Sequence, residues 1–210
     1  MDTTSYSLEW QDLTLWRGER CLQQGLKGKL ASGQAITLKG PNGCGKTTLL
    51  RTLCGLSQPE TGKVLWQGKQ IHKIRNKFHA HLAYSGHNNG LKRDLSTREN
   101  LRFAARLRGR HTNQNELLNG LRLTACADLP VRNLSAGQQR RASLALILGS
   151  GAEFWVLDEP FTNLDRSGCE WLARRCNDHL GMGGLLLTAG HQDSLLNPER
   201  ETIIELAGAN

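Results

Sequence analysis

The sequence predicts an α/β fold with a mixed sheet core, an N-terminal antiparallel β region and an inserted helical subdomain. Three observations carry it. Gly40–Thr47 reads GPNGCGKT, a glycine loop set between a short β-favouring run and helical spacing. Phe154–Leu157 and Leu185–Thr188 are apolar runs that end close to residues with acid–base chemistry, the pattern of parallel strands buried on both faces. From Ser96 to about Thr124 strand character disappears and the apolar residues fall at helical spacing. A chain of 210 residues suits one domain, 1–210, with the helical subdomain at about 88–140.

The elements follow in order. Leu8, Trp10, Leu13 and Leu15 sit near period two, with a break at Gln11–Asp12, and predict one or two short strands. Cys21–Leu30 reads as another strand, and Ala35–Leu38 as a short one that ends at Gly40. Lys46–Leu56 places Leu49, Leu50 and Leu53 on one helical face. Gln58–Gly62 is a turn signal, and Val64–Trp66 and Leu82–Tyr84 read as strands. Leu101, Ala104, Ala105 and Leu107, then Leu117, Leu118 and Leu121, make the helical insertion. Ser135 starts a long helix that runs through Leu144, Leu146 and Leu148.

Composition excludes several classes. No stretch free of Lys, Arg, Asp and Glu exceeds 14 residues, and the apolar one, Ala142–Ala152, has 11. A membrane-spanning helix needs about 20 apolar residues. Met1–Trp10 carries Asp2 and Glu9 and no apolar core, so no secretory signal is expected. The six cysteines form no CxxC pair and no zinc-ligand spacing, which predicts reduced thiols. Net charge is +8, but the basic residues are dispersed with no block of five, so no nucleic-acid partner is expected. His72, His79 and His81 read as solvated loop residues, and Trp66, Trp155 and Trp171 as core.

The chemistry lies in three motifs. Gly40–Thr47 fits GxxxxGK[ST] in full, the motif of a P-loop NTPase. Its glycines turn backbone N–H groups inward around a phosphate, Lys46 adds a charge for the β- and γ-phosphates, and Thr47 offers a hydroxyl to Mg²⁺. Gly40, Pro41, Asn42, Gly43, Cys44, Gly45, Lys46, Thr47 and Thr48 are the expected contacts to ATP. Asp158 ends the Phe154–Leu157 run and is the expected second holder of Mg²⁺, while Glu159 would polarise the attacking water. Ser135, Ala136, Gly137 and Gln138 open a second helix whose N-terminus can meet phosphate. One nucleotide does not need two such sites from one subunit, so two subunits are expected to meet across ATP.

These residues resemble the ATP-binding subunits of ABC transporters, over about Leu8–Leu206. Gly40–Thr47 resembles Walker A, Phe154–Glu159 Walker B with its catalytic glutamate, and Leu134–Gln138 the signature motif, with Ala136 where glycine is usual. Asn163–Asp165 is similar to the D-loop, His191 to the switch histidine, and Trp16 to the aromatic that stacks on adenine. The resemblance implies a head-to-tail dimer with two ATPs at its interface, integral membrane subunits as partners, and a peripheral place on the cytoplasmic side of the bacterial inner membrane. His87 falls where the family usually has a glutamine that meets a Mg²⁺-bound water. Gly86–His87, Val64–Gly68, LSAGQQRR at Leu134–Arg141 and Leu157–Thr162 further resemble the ATP-binding subunits of bacterial cytochrome c maturation. That implies haem export or release of a haem-loaded chaperone, with a small haem-handling membrane protein as a further partner. Another importer, exporter or lipoprotein-release ATPase is the alternative. A soluble repair or translation protein of the family would carry long coiled-coil insertions or two cassettes, and Glu159 argues against a non-hydrolysing module.

Overall fold

The computed structural model describes residues 5–86, 90–109, 113–191 and 195–208. Strands β1 (Ser7–Arg17) and β2 (Arg20–Ala31) form an antiparallel pair, and β4 (Thr61–Trp66) and β5 (Lys69–Gln70) extend it to a four-stranded sheet in the order β2-β1-β4-β5. The break at Gln11–Asp12 proves to be a bulge inside one strand. The register shifts between Trp10 and Leu13, and Asp12 takes φ 51°. An extra residue there lets Leu13 and Leu15 return to the buried face that Leu8 and Trp10 occupy. Opposite Trp10 the partner strand has Gly28, and the indole fills the space a Cβ there would need.

The second sheet holds β3 (Ala35–Lys39), β6 (Leu82–Ser85), β7 (Phe154–Asp158), β8 (Leu185–Ala189) and β9 (Glu201–Glu205) in the order β6-β7-β8-β3-β9. Its pairings are parallel. Successive side chains enter opposite layers, as period two requires. Phe154, Val156, Leu185 and Leu187 join one core with the antiparallel sheet and with Leu49, Leu50 and Leu53 of helix α1 (Lys46–Leu53). Trp155, Leu157 and Leu186 join the other, under helices α3 (Thr97–Arg108), α4 (Gln114–Gly120), α5 (Ala136–Leu148) and α6 (Arg166–Gly181). The leucines of the helical insertion, Leu101, Leu117, Leu118 and Leu121, pack in that second core.

Some elements gave no sequence signal. Helix α2 (Arg75–His81) buries only Phe78, which is too little for a readable period. His79 and His81 lie on it, and they are not the solvated loop residues expected. A ring nitrogen of His79 bonds the Cys54 carbonyl at 3.0 Å. His81 pairs with Glu153 at 2.9 Å and lies against Tyr6 and Trp66. Strand β9 is half exposed at the sheet edge, so its side chains do not alternate cleanly. Helix α1 stops at Leu53 rather than Leu56, because Gly55 turns the chain at φ 69°. The six cysteines are free, and burial pushes the Cys176 thiol up to about 12. Among the described residues no helix is long and apolar enough to cross a membrane.

Two stability predictions follow from this packing. A Cβ at residue 28 would collide with the Trp10 indole. Gly28→Ala is expected to destabilise the fold by about 1–3 kcal/mol, the range for overpacked cores, measured by urea denaturation. His179 stacks on Trp155 with ring centroids 3.8 Å apart, and burial lowers its pKa from 6.5 to about 4 despite hydrogen bonds to Leu185 and Glu153. The unfolded chain therefore binds a proton between pH 6.5 and 4 that the folded chain refuses, so stability is lost as pH falls through that window. At pH 4 this site should cost about 3 kcal/mol relative to pH 8. His179→Phe keeps a ring on Trp155 without the proton, and should reduce the acid loss by about that amount. Equal acid slopes for the two proteins would show that His179 is not the group responsible.

Candidate nucleotide site

The loop after β3 folds as its glycines dictate. Gly40 takes φ 143°, and a Cβ there would press on the Leu206 carbonyl and the Cys44 sulfur. Gly45 is the N-cap of α1 at φ 107°, a left-handed conformation that a side chain resists. Gln23 of β2 buttresses the loop by donating to the Cys44 carbonyl at 2.9 Å and the Ala207 carbonyl at 2.8 Å. Pro41, Asn42 and Gly43 form the exposed crest, Cys44 and Lys46 are buried, and Thr47 and Thr48 are half-buried on the first turn of α1.

Lys46 folds its ammonium back over the loop. It donates to Gly40 O at 2.7 Å and Pro41 O at 3.2 Å, and meets His191 Nε2 at 3.2 Å. An ammonium only donates, so the Lys46 contact needs Nε2 as acceptor, whereas a contact to a carbonyl oxygen needs it as donor; which of the two forms follows the tautomer. Nε2 also lies 2.8 Å from the Asn42 side-chain oxygen Oδ1 and 3.7 Å from Glu159 Oε1. Thr47 donates its hydroxyl to Asp158 Oδ2 at 2.8 Å. Asp158 is 4% exposed, a nearly buried carboxylate at the end of β7. Glu159 turns the chain there with φ 50°, donates its N–H to the Ala189 carbonyl at 2.8 Å, and accepts from Thr162 at 3.3 Å. Positive φ at a non-glycine residue is a local strain, and strain of this kind gathers at functional sites.

The other sequence-expected residues are distributed around this centre. Trp16 is 45% exposed and pairs across the hairpin with Cys21, which lies two residues before the Gln23 that supports the loop. Ser135 caps α5: its Oγ accepts from Gln138 N, while Gln138 Oε1 accepts from Ser135 N, a complete capping box. Ala136 is exposed, and a Cβ added to Gly137 would meet nothing within 4 Å. Asp165 caps α6 by accepting from Gly168 N at 2.9 Å. That backbone bond, with Arg122 and Ser167 beside it, holds its carboxyl below the usual range. His87 lies outside the described residues. Sequence reading gave Arg140 no role of its own, placing it only among the dispersed basic residues and within the LSAGQQRR run. It reaches the ends of both β6 and β7. No local pattern announces such a contact, since its partners are 18 and 54 positions away.

Residues 23–162 match the ABC transporter family, two-thirds of the chain and including the loop, the α5 cap and both acids. The chain belongs to the ABC transporter family. It is also 43% identical over 185 residues to the cytochrome c biogenesis ATP-binding export protein CcmA of Escherichia coli K12, covering 88% of this chain and 89% of that one. Two solved structures share the fold at 24% identity. One is the ATP binding subunit of an ABC transporter, with a TM-score of 0.78 over 88% of this chain and 79% of that one. The other is described as an ABC transporter ATP-binding protein from Pyrococcus furiosus, with a TM-score of 0.77 over 95% of this chain and 97% of that one.

In this ABC transporter chain the donor set suits a hard divalent cation. A hydroxyl and a carboxylate oxygen already converge at Thr47 and Asp158. Among the described residues no cluster of three or more His, Cys, Asp or Glu side chains could hold a metal by protein ligands alone. Mg²⁺ is ordinarily held by one or two protein oxygens with water and substrate phosphates completing the shell. Lys46→Ala removes a charge whose hydrogen bonds are worth about 1.5–3 kcal/mol. ATP affinity, read by titration of a fluorescent analogue, is expected to fall at least about tenfold. Wild-type affinity in that variant would take Lys46 out of the site.

Proposed function

We propose that this chain is the ATP-hydrolysing subunit of an export complex for cytochrome c biogenesis, with haem or a haem-loaded chaperone as the species released. One observation carries the hydrolytic part. The ends of β3, β7 and β8 converge, so that Lys46, the Thr47–Asp158 pair, Glu159 and His191 occupy one crevice. The identity to CcmA of E. coli supports the cellular assignment.

The roles follow from chemistry. The Lys46 ammonium is already satisfied by Gly40 O, Pro41 O and His191, so a phosphate must exchange for those acceptors. The γ-phosphate thereby draws Lys46 off the loop and frees His191 towards the nucleotide. Thr47 and Asp158 would hold Mg²⁺, which neutralises charge on the phosphates. Glu159 takes the proton of the attacking water, and His191, with Nε2 as acceptor or donor according to its tautomer, orients the γ-phosphate. Trp16 offers its exposed face to adenine.

A second chain completes the site. The α5 N-terminus is exposed and Gly137 has open space above it, so a phosphate held by another copy can approach Ser135, Ala136, Gly137 and Gln138. Two such contacts close a two-fold dimer. Integral membrane subunits are the partners that convert closure into transport, with this chain on the cytoplasmic face. Residues 88–140 act as the helical subdomain, which ends within the first turns of the signature helix. His87 stands in for the usual glutamine.

Glu159→Gln should bind ATP within about threefold of wild type while turnover falls by about 10²–10⁴, the worth of a positioned base. Light scattering should then show an ATP-dependent dimer. Adding Gly137→Val should leave the circular dichroism spectrum unchanged and return the protein to monomer. A double variant that still dimerises with ATP would separate the α5 N-terminus from the interface. In the host, loss of this chain should abolish c-type cytochromes stained by covalent haem, with rescue by wild type and none by Glu159→Gln.

A further inference from the structure

Arg140 lies on the second turn of α5, five residues after the Ser135 cap. Its Nη1 donates to the Gly86 carbonyl at 2.6 Å and lies 3.4 Å from Ser85 Oγ, and its Nη2 donates to the Asp158 carbonyl. Ser143, one turn along, bonds the same Ser85 hydroxyl at 3.3 Å. Strands β6 and β7 are neighbours, with Ser85 opposite Leu157. One guanidinium therefore spans the carboxyl ends of two adjacent strands and fastens both to α5. Burial depresses the pKa of this group, while Asp158, Glu159 and Tyr84 favour its charged form.

The contact to Asp158 is to its main chain, and that decides what it does. The carbonyl of Asp158 and the N–H of Glu159 are the two ends of one peptide unit. Arg140 holds the oxygen end, and the Ala189 carbonyl holds the nitrogen end at 2.8 Å. A peptide unit is planar. Pinning it on both sides fixes its rotation, and with it the direction in which Glu159 leaves β7. Glu159 sits at φ 50°, a conformation that costs energy and relaxes when its supports are removed.

We propose that Arg140 is a positioning residue: it locks the Asp158–Glu159 peptide so that the Glu159 carboxylate faces the nucleotide, and it ties that peptide to the signature helix. A movement of α5 when a second chain docks on its N-terminus is then felt directly at Glu159. The inference rests on the ATP-hydrolysis reading given above. Arg140 itself is assigned no contact with nucleotide. Its geometry needs two amino groups diverging from one plane, a demand that a lysine ammonium on a single point does not meet.

The test compares wild type, Arg140→Lys and Arg140→Ala in the complex with the membrane subunits. The expected result is a fall in kcat of about tenfold or more in both variants, on the scale set by small misplacements of a catalytic group. ATP KM and the dissociation constant of a fluorescent analogue should stay within about threefold of wild type, because uniform nucleotide binding is untouched. Millimolar methylguanidinium should restore part of the kcat of Arg140→Ala, and ethylammonium should not. A merely structural role would lower kcat and binding together with thermal stability, and would show no guanidinium-selective rescue. That pattern, or unchanged kcat in Arg140→Lys, overturns the proposal alone, provided the wild-type complex hydrolyses ATP. A wild-type complex without ATPase activity overturns the parent reading and this one with it. If Arg140→Ala does not fold, the kcat-against-KM split in Arg140→Lys decides.

Discussion

The Lys46 ammonium and the Asp158 carboxylate are almost fully buried, at 7% and 4% exposure, and the rest of the structure is arranged so that this is tolerable. Burying a charge without partners is far more costly than any single apolar contact can offset. Lys46 is relieved by the carbonyls of its own loop and by His191, and Asp158 by the Thr47 hydroxyl. Those partners come from the segments that follow β3 and β8, and Asp158 itself ends β7. They meet only if the three strands run parallel and side by side, with β8 between β7 and β3. A crevice beyond the carboxyl ends of parallel strands is where open α/β sheets bind ligands.

That requirement explains why the parallel strands are apolar on both faces. Each of β7 and β8 is buried along its whole length, with alternate residues feeding two cores. One core fixes the antiparallel sheet that supports the loop through Gln23, and presents Trp16 near it. The other fixes the helical layer, including α5. The glycine loop with α1 and the helix α5 are thus seated on opposite faces of one sheet. Their connection at atomic level is Arg140, which crosses from the helical layer to the ends of β6 and β7.

Backbone conformation does as much here as side-chain chemistry. Gly40 and Gly45 adopt positive φ to turn the loop, whereas Glu159 adopts it without the freedom that glycine has. Glycine at 159 would remove that strain but also the carboxylate. The chain keeps the carboxylate and stabilises the turn from both ends of the preceding peptide. Gly137 is a different case, because neither its torsion nor its neighbours within the chain require a glycine.

What the sequence by itself determined is what depends on near neighbours. The glycine loop, the N-cap at Ser135, the acids after a fully apolar strand and the glycine turns are all local, because loop curvature, helix capping and period-two burial act over a few residues. The order of the strands, the bulge that keeps β1 whole, the packing of His79 and His81, the weak edge strand β9 and the reach of Arg140 were decided by tertiary structure. Each depends on partners far along the chain, such as Cys54 for His79, Glu153 for His81, and Gly86 and Asp158 for Arg140. A guanidinium that bonds two main-chain carbonyls leaves no mark in the sequence around either of them, because every residue has a carbonyl to offer.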